Sequence, residues 1–139
     1  MNALTPTYFL NALYTLLTVP GAFVQDVLVL RGLRSNITAE YTLQIYPTNL
    51  REETRAQNVL TCTDTWIVGG VVKTGEENLV DKTLSFIQDT KKALDKLTED
   101  SGDFTYALLP DVQVSYDGFP YVAFSMTVEI KYQRRINNE

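Results

Sequence analysis

The sequence predicts an α+β fold: a mostly antiparallel, twisted sheet with one main amphipathic helix packed on it and a shorter helix at the N-terminus. Three stretches carry that prediction. From Tyr121 to Tyr132, Val122, Phe124, Met126, Val128, Ile130 and Tyr132 alternate with Tyr121, Ala123, Ser125, Thr127, Glu129 and Lys131, which puts the large apolar groups on one side of a strand. From Ile37 to Tyr46 the same period of two recurs. Between Leu79 and Leu97, by contrast, Leu79, Val80, Leu84, Phe86, Ile87, Ala93, Leu94 and Leu97 fall within about half of a helical wheel. With 139 residues, 45% hydrophobic and 21% charged, the chain reads as one domain over residues 1–139 with its own core.

Taken in order, Thr5-Pro6 reads as a helix start, with the hydroxyl at the cap and proline where its missing amide hydrogen costs nothing. Phe9, Leu10, Leu13, Leu16 and Leu17 then form a stripe that stops before Pro20-Gly21. Phe23 to Leu30 is rich in β-branched side chains and reads as a strand, which a turn at residues 32–36 joins to the 37–46 strand as a hairpin. Residues 47–57 break the alternation with Pro47, Arg51, Glu52, Glu53 and Arg55, and read as a polar contact loop.

Asn58 to Lys73 is strand-like again, with Leu60, Cys62, Asp64, Trp66 and Val68 on one parity and Gly69-Gly70 marking a bulge or a bend. Thr74 with Glu77, or Asn78 with Asp81, has capping-box spacing ahead of the main helix, whose acidic start and lysine-rich end suit its dipole. Lys91 lies inside the apolar stripe, where its stem can follow the core edge, and Gly102 ends the segment. Phe104 to Pro110 fits either a short strand or an extended loop. Val112, Val114 and Tyr116 alternate, and Asp117-Gly118 supplies residues that tolerate positive φ for a hairpin into the last strand, with Pro120 at its start. Residues 133–139 read as a polar, frayed tail.

The composition narrows the chemistry. A net charge of -5 argues against a surface built to neutralise phosphates. The apolar run at residues 8–30 is interrupted by Pro20-Gly21 and Gln25-Asp26 before it reaches membrane-spanning length, and no basic residue precedes Arg31, so the N-terminus reads as part of the fold. Histidine is absent and Cys62 is the single cysteine, which removes histidine-based triads, a disulfide framework and a structural zinc site, and suits a reducing cytoplasm. Gly69-Gly70 lacks the spacing of a phosphate loop.

Carboxylates are the catalytic option that remains. Asp64, between Cys62 and Trp66 on the large-group parity, is either a carboxyl with a raised pKa or an edge charge that blocks aberrant pairing. Glu52-Glu53 and Glu76-Glu77 read as solvated positions rather than a catalytic dyad. Tyr46, Tyr106 and Tyr121 fall at or beside polar-face positions, where aromatic side chains mark either an interface or an ordinary strand surface.

The element order, with ITAEYTLQIYP at 37–47, LREETR at 50–55, VDKTLSFIQDTKKALDKL at 80–97 and YVAFSMTVEIKYQ at 121–133, resembles the tail terminator proteins of long-tailed bacteriophages. These are also called tail completion or tail-to-head joining proteins. The resemblance covers nearly the whole chain and implies a structural virion protein, not an enzyme. It implies a hexameric ring at the head-proximal end of the tail, assembled in the host cytoplasm, that caps the tail tube and stops its growth. The partners implied are other copies of the chain, the tail tube protein and a head-completion or connector protein. No cofactor, metal or membrane is involved, and DNA passes through the ring without specific binding. On this reading the contacts fall at Leu50, Arg51, Glu52, Glu53 and Arg55 and at Asp117, Gly118, Phe119 and Tyr121. Alternatives are another tail or neck ring component, a hot-dog-like carboxylate hydrolase acting through Asp64, and a binding module without a nameable ligand.

Overall fold

The computed structural model describes residues 4–33, 39–56, 58–73, 78–97, 104–118 and 120–135. Helix α1 spans Pro6–Thr18, and strands β1 (Leu28–Arg31), β2 (Tyr41–Ala56) and β3 (Val59–Lys73) follow. Helix α2 (Leu79–Asp95) then precedes strands β4 (Phe104–Ser115) and β5 (Tyr121–Arg135). The strands form one sheet in the order β1-β2-β3-β5-β4, antiparallel at every junction except β1 with β2. The architecture is α+β, with a longer and a shorter helix on a mostly antiparallel sheet.

One face of the sheet holds the core. β5 contributes Val122, Phe124, Met126, Val128, Ile130 and Tyr132, all buried, on the parity that its alternation predicts. Cys62, Trp66, Val68 and Val72 of β3 and Leu43 and Ile45 of β2 lie beside them. Helix α1 starts as its sequence indicates: the Thr5 hydroxyl accepts the Tyr8 N–H at 3.2 Å, and proline occupies the first turn. Its Phe9, Leu13 and Leu17, spaced one turn apart, are buried on this face, each contributing about 2 kcal/mol of transfer free energy. The Phe9 ring packs 4.8 Å from the ring of Tyr132, whereas α2 packs Phe86 edge-on to Phe124 with centroids 5.5 Å apart. Each helix therefore covers its own end of the sheet.

Helix α2 is rotated relative to the predicted stripe. Val80 and Leu84 are 48% and 51% exposed, while Thr83 and Thr90 are buried among Leu79, Phe86, Ile87, Ala93 and Leu94. The hydroxyls avoid a desolvation penalty by donating to the carbonyls one turn back, Thr83 to Leu79 at 2.8 Å and Thr90 to Phe86 at 2.7 Å. Asn78 occupies the cap without a side-chain hydrogen bond to the helix, so the second capping box does not form, and Thr74 and Glu77 of the first lie outside the described residues.

Three further expectations change. The 23–30 strand is shortened to β1 and runs parallel to β2, Leu28 opposite Thr42 and Arg31 opposite Ile45, so the two are not a hairpin. The residues between the two strands, 32–40, are too many for a tight turn. Residues 47–56 are not a loop: they continue β2 against β3 as far as Ala56 opposite Val59. Pro47 is accommodated by a bulge between Pro47 and Asn49, and because β1 ends at Arg31, opposite Ile45, its missing N–H faces no neighbouring strand among the described residues. The charges that imitated a loop are those of an edge. Asn58, with φ 65, makes the turn into β3 in a conformation that asparagine tolerates. Finally, β4 is a continuous strand with a bulge between Leu108 and Val112, and β5 runs on through Gln133 to Arg135, where a frayed tail was expected. The β4–β5 turn closes through the Tyr121 N–H donating to the Gly118 carbonyl at 2.9 Å, without positive φ at Gly118.

Candidate functional site

The expected contact residues occupy opposite ends of the sheet. Leu50, Arg51, Glu52 and Glu53 lie on the outer half of β2, all exposed, and Arg55 follows them in the same strand. Asp117 and Gly118 are exposed in the β4–β5 turn at the other end, with Tyr121 half-buried beneath the Lys73 ammonium, 5.4 Å from its ring centroid. Phe119 lies outside the described residues. From Tyr121 to Lys131, which lies in the row of Arg51, β5 covers about 33 Å at about 3.3 Å per residue. The two groups therefore do not form one site; they mark two separate ends.

At the β2–β3 end, cross-strand register builds a polar cluster. Glu52, Cys62 and Tyr132 share one row, and Leu50, Asp64, Ile130 and Tyr106 share the next. Glu52 ion-pairs with Arg134 and Arg51 with Glu53, so these exposed charges are neutralised locally. Beneath them the Tyr132 hydroxyl donates to Asp64 Oδ2 at 3.0 Å, with Asp64 only 2% exposed. Burial raises the Asp64 carboxyl pKa, and the Tyr132 hydroxyl and the Trp66 indole oppose that shift. Burial likewise raises the Tyr132 phenol, reinforced by the charge of Asp64, and the Cys62 thiol, reinforced by Glu52. A protonated, inward-facing Cys62 is a packing residue.

Sequence parity alone placed Asp64 and Tyr132 on one face, but the register that makes them neighbours was not legible. Tyr106, expected beside the polar face, packs against the core opposite Ile130, and its hydroxyl is buried without a hydrogen-bond partner among the described residues. Burial, and secondarily the charge of Asp95, raise its pKa. Tyr46 is half-buried on the outer face. It lines an open cleft of about 310 Å³ with Gln44, Gln113, Ser125, Val71 and Val114, an uncharged mixture of amide, hydroxyl and aliphatic side chains that sequence reasoning did not single out. That cleft lies on the opposite face from Asp64.

Among the described residues, no group of three or more His, Cys, Asp or Glu side chains is placed to hold a metal ion, and no helix is long and apolar enough to cross a membrane. Searched against known proteins, the chain matches no protein-family model and no curated protein.

Proposed function

We propose that the chain is the subunit of a ring that caps a bacteriophage tail tube, ends its growth and gives the head connector a surface to dock on. The observation that supports this reading best is the separation of the two exposed ends across one continuous sheet: the β2–β3 end with Leu50 to Glu53, and the β4–β5 turn with Asp117 and Gly118. A subunit with one neighbour above and another below needs contact residues divided in this way. The resemblance carried by the 37–47, 50–55, 80–97 and 121–133 segments points the same way. The buried position of Asp64 adds support, because a catalytic carboxylate must reach its substrate and this one is sealed under Tyr132 and Phe9.

The test is to add the purified chain to growing tail tubes of the same virus and measure tube lengths by electron microscopy. Uniform, capped tubes are expected. Reversing the exposed pair with Arg51→Glu and Glu53→Lys keeps the ion pair within the subunit but changes the charge pattern offered to a neighbour. Overlong tubes with an unchanged melting temperature are expected of that variant. Tubes of uncontrolled length in the presence of the unaltered chain would sink the proposal.

A further inference from the structure

Gly69 and Gly70 are neighbours in β3, yet the fold requires only one of them. A Cβ on Gly70 would collide with the Phe124 ring, whereas a Cβ on Gly69 would meet nothing nearer than the Phe124 carbonyl oxygen at 3.8 Å and Tyr46 Cε1 at 3.9 Å, ordinary contact distances. Gly69 does not have a positive φ, and the register runs through it without a bulge, opposite Gln44 on one side and Ser125 on the other. A glycine inside a strand weakens it and, where no bulge or bend needs it, marks a place that another molecule approaches closely.

The opening at Gly69 belongs to the cleft on the outer face. Gln44, Gly69, Ser125 and Gln113 form one row across the sheet, and Val71, Ala123 and Ser115 share the outer-face row next to it toward the β4–β5 turn. Gly69, Ala123 and Ser125 thus make a low floor between two walls, Gln44 and Tyr46 on β2 and Gln113 and Ser115 on β4. The Cα atoms of Gln44 and Gln113 stand three strand spacings apart, about 14 Å. Gln44 is only 8% exposed, so its carboxamide is confined, and among the described residues no charged side chain lines the cleft.

The chemistry of floor and walls selects the occupant. The main-chain groups of the floor are engaged in the ladders of β3 with β2 and β5, so binding falls to side chains, and an extended peptide, which is recognised at a strand edge, finds no such edge here. An ion finds no countercharge. Each carboxamide both donates and accepts hydrogen bonds, as the hydroxyls of Ser115, Ser125 and Tyr46 do, while Val71 and Ala123 add apolar surface near the Tyr46 ring. A ring that carries adjacent hydroxyls and an apolar C–H face matches that mixture, and a volume of about 310 Å³ falls at the lower end of the roughly 300–1,000 Å³ of small-molecule sites. We infer that the outer-face cleft binds an uncharged sugar ring, with Gln44 and Gln113 bonding its hydroxyls and Gly69 leaving room for its face. The site goes beyond the ring reading, which uses the two ends of the sheet, and does not depend on it.

Titration of the isotope-labelled full chain with the methyl glycosides of glucose, galactose, mannose and N-acetylglucosamine, followed by NMR, tests it. Saturable shifts at the backbone amides of Gly69, Val71 and Ser125 are expected from at least one of them, with about millimolar affinity, as suits a small ligand in an open site. Glucuronate and protonated glucosamine, charged sugars of similar size, should bind at least about tenfold more weakly. Gly69→Ala should melt no lower than the parent, and Gly69→Val, which fills the floor, should abolish the shifts. Gln113→Leu, at an exposed position, should keep the parent's melting temperature and weaken binding about tenfold. An oligosaccharide of the binding sugar separates two sources of the same chemistry: a gain of about tenfold marks the end of a glycan chain, and equal affinity marks a free sugar. Shifts confined to residues away from the cleft, or none that saturate with any of the four glycosides, would overturn the inference. So would equal binding of the charged sugars, or unchanged binding in both Gly69→Val and Gln113→Leu. A Gly69→Ala protein that melts clearly below the parent would overturn it too, because the glycine would then be serving the strand.

Discussion

The two ends of the core face are closed by different physics. Toward the β4–β5 turn, α2 seals the sheet with aromatic rings: Phe86 lies edge-on to Phe23, Tyr41 and Phe124, and Phe124 in turn lies over Gly70. Toward the β2–β3 turn, α1 seals it over polar groups, with Phe9 covering Tyr132 and its hydrogen bond to Asp64. The aromatic end depends on shape and the polar end on pairing. Loss of shape is felt as overpacking or a void, whereas loss of pairing leaves a desolvated group behind.

The largest effect is expected where shape is tightest. A Cβ on Gly70 would lie 2.1 Å from Phe124 Cζ, inside a ring that is 3% exposed and held by Phe86. Gly70→Ala must therefore expel that ring and is expected to cost about 3 kcal/mol in chemical denaturation. Shortening the intruding side chain relieves the clash, so Gly70→Ala with Phe124→Leu should lose less than the sum of the single changes. Strict additivity would show that Phe124 is not what forbids a side chain at residue 70.

An intermediate effect is expected at the polar end, and it depends on pH. Tyr132→Phe removes the donor to Asp64 and leaves a buried carboxyl without it, a cost of about 1–2 kcal/mol at neutral pH. Burial raises the Asp64 pKa in the folded chain above that of an ordinary aspartate. The folded state thus holds a proton that the unfolded state has released, and stability falls as pH rises from there through the folded pKa. Since the Tyr132 hydroxyl lowers that pKa, Tyr132→Phe should extend the decline to higher pH, and the variant should converge on the parent in acid. Asp64→Asn, which cannot ionise, should lose the Asp64 part of this slope. Denaturant midpoints measured across the acid-to-neutral range check both; parallel profiles for all three proteins would mean that Asp64 is not the group titrating.

What the sequence disclosed follows the same division. The core parity of β5, the cap at Thr5 and the existence of α2 were legible because each rests on local spacing. The outer half of β2 was hidden by Pro47 and by Arg51, Glu52 and Glu53, since an edge strand and a polar loop share a composition and differ only in what lies beside them. The parallel pairing of β1 was equally illegible: Leu28 to Arg31 carries no mark of the direction in which its partner runs. Thr83 and Thr90 were passed over because a hydroxyl that bonds within its own helix is apolar in effect but polar in spelling. Of the candidate contact residues, the chain order gave the segments, while their division between opposite ends needed the register.

That last pair sharpens the contrast at its smallest scale. Thr90→Val removes a fully buried hydroxyl, as Tyr132→Phe does, but the partner it leaves behind is the Phe86 carbonyl, a helix acceptor that still has the backbone bond of its turn. A methyl of the same shape fills the site, so the change is expected to stay within about 0.5 kcal/mol of the parent at every pH. Equal losses for Thr90→Val and Tyr132→Phe would show that burial of a hydroxyl, rather than the state of the partner left behind, sets the cost. A near-neutral Thr90→Val beside a costly, pH-dependent Tyr132→Phe would place the difference in the carboxylate.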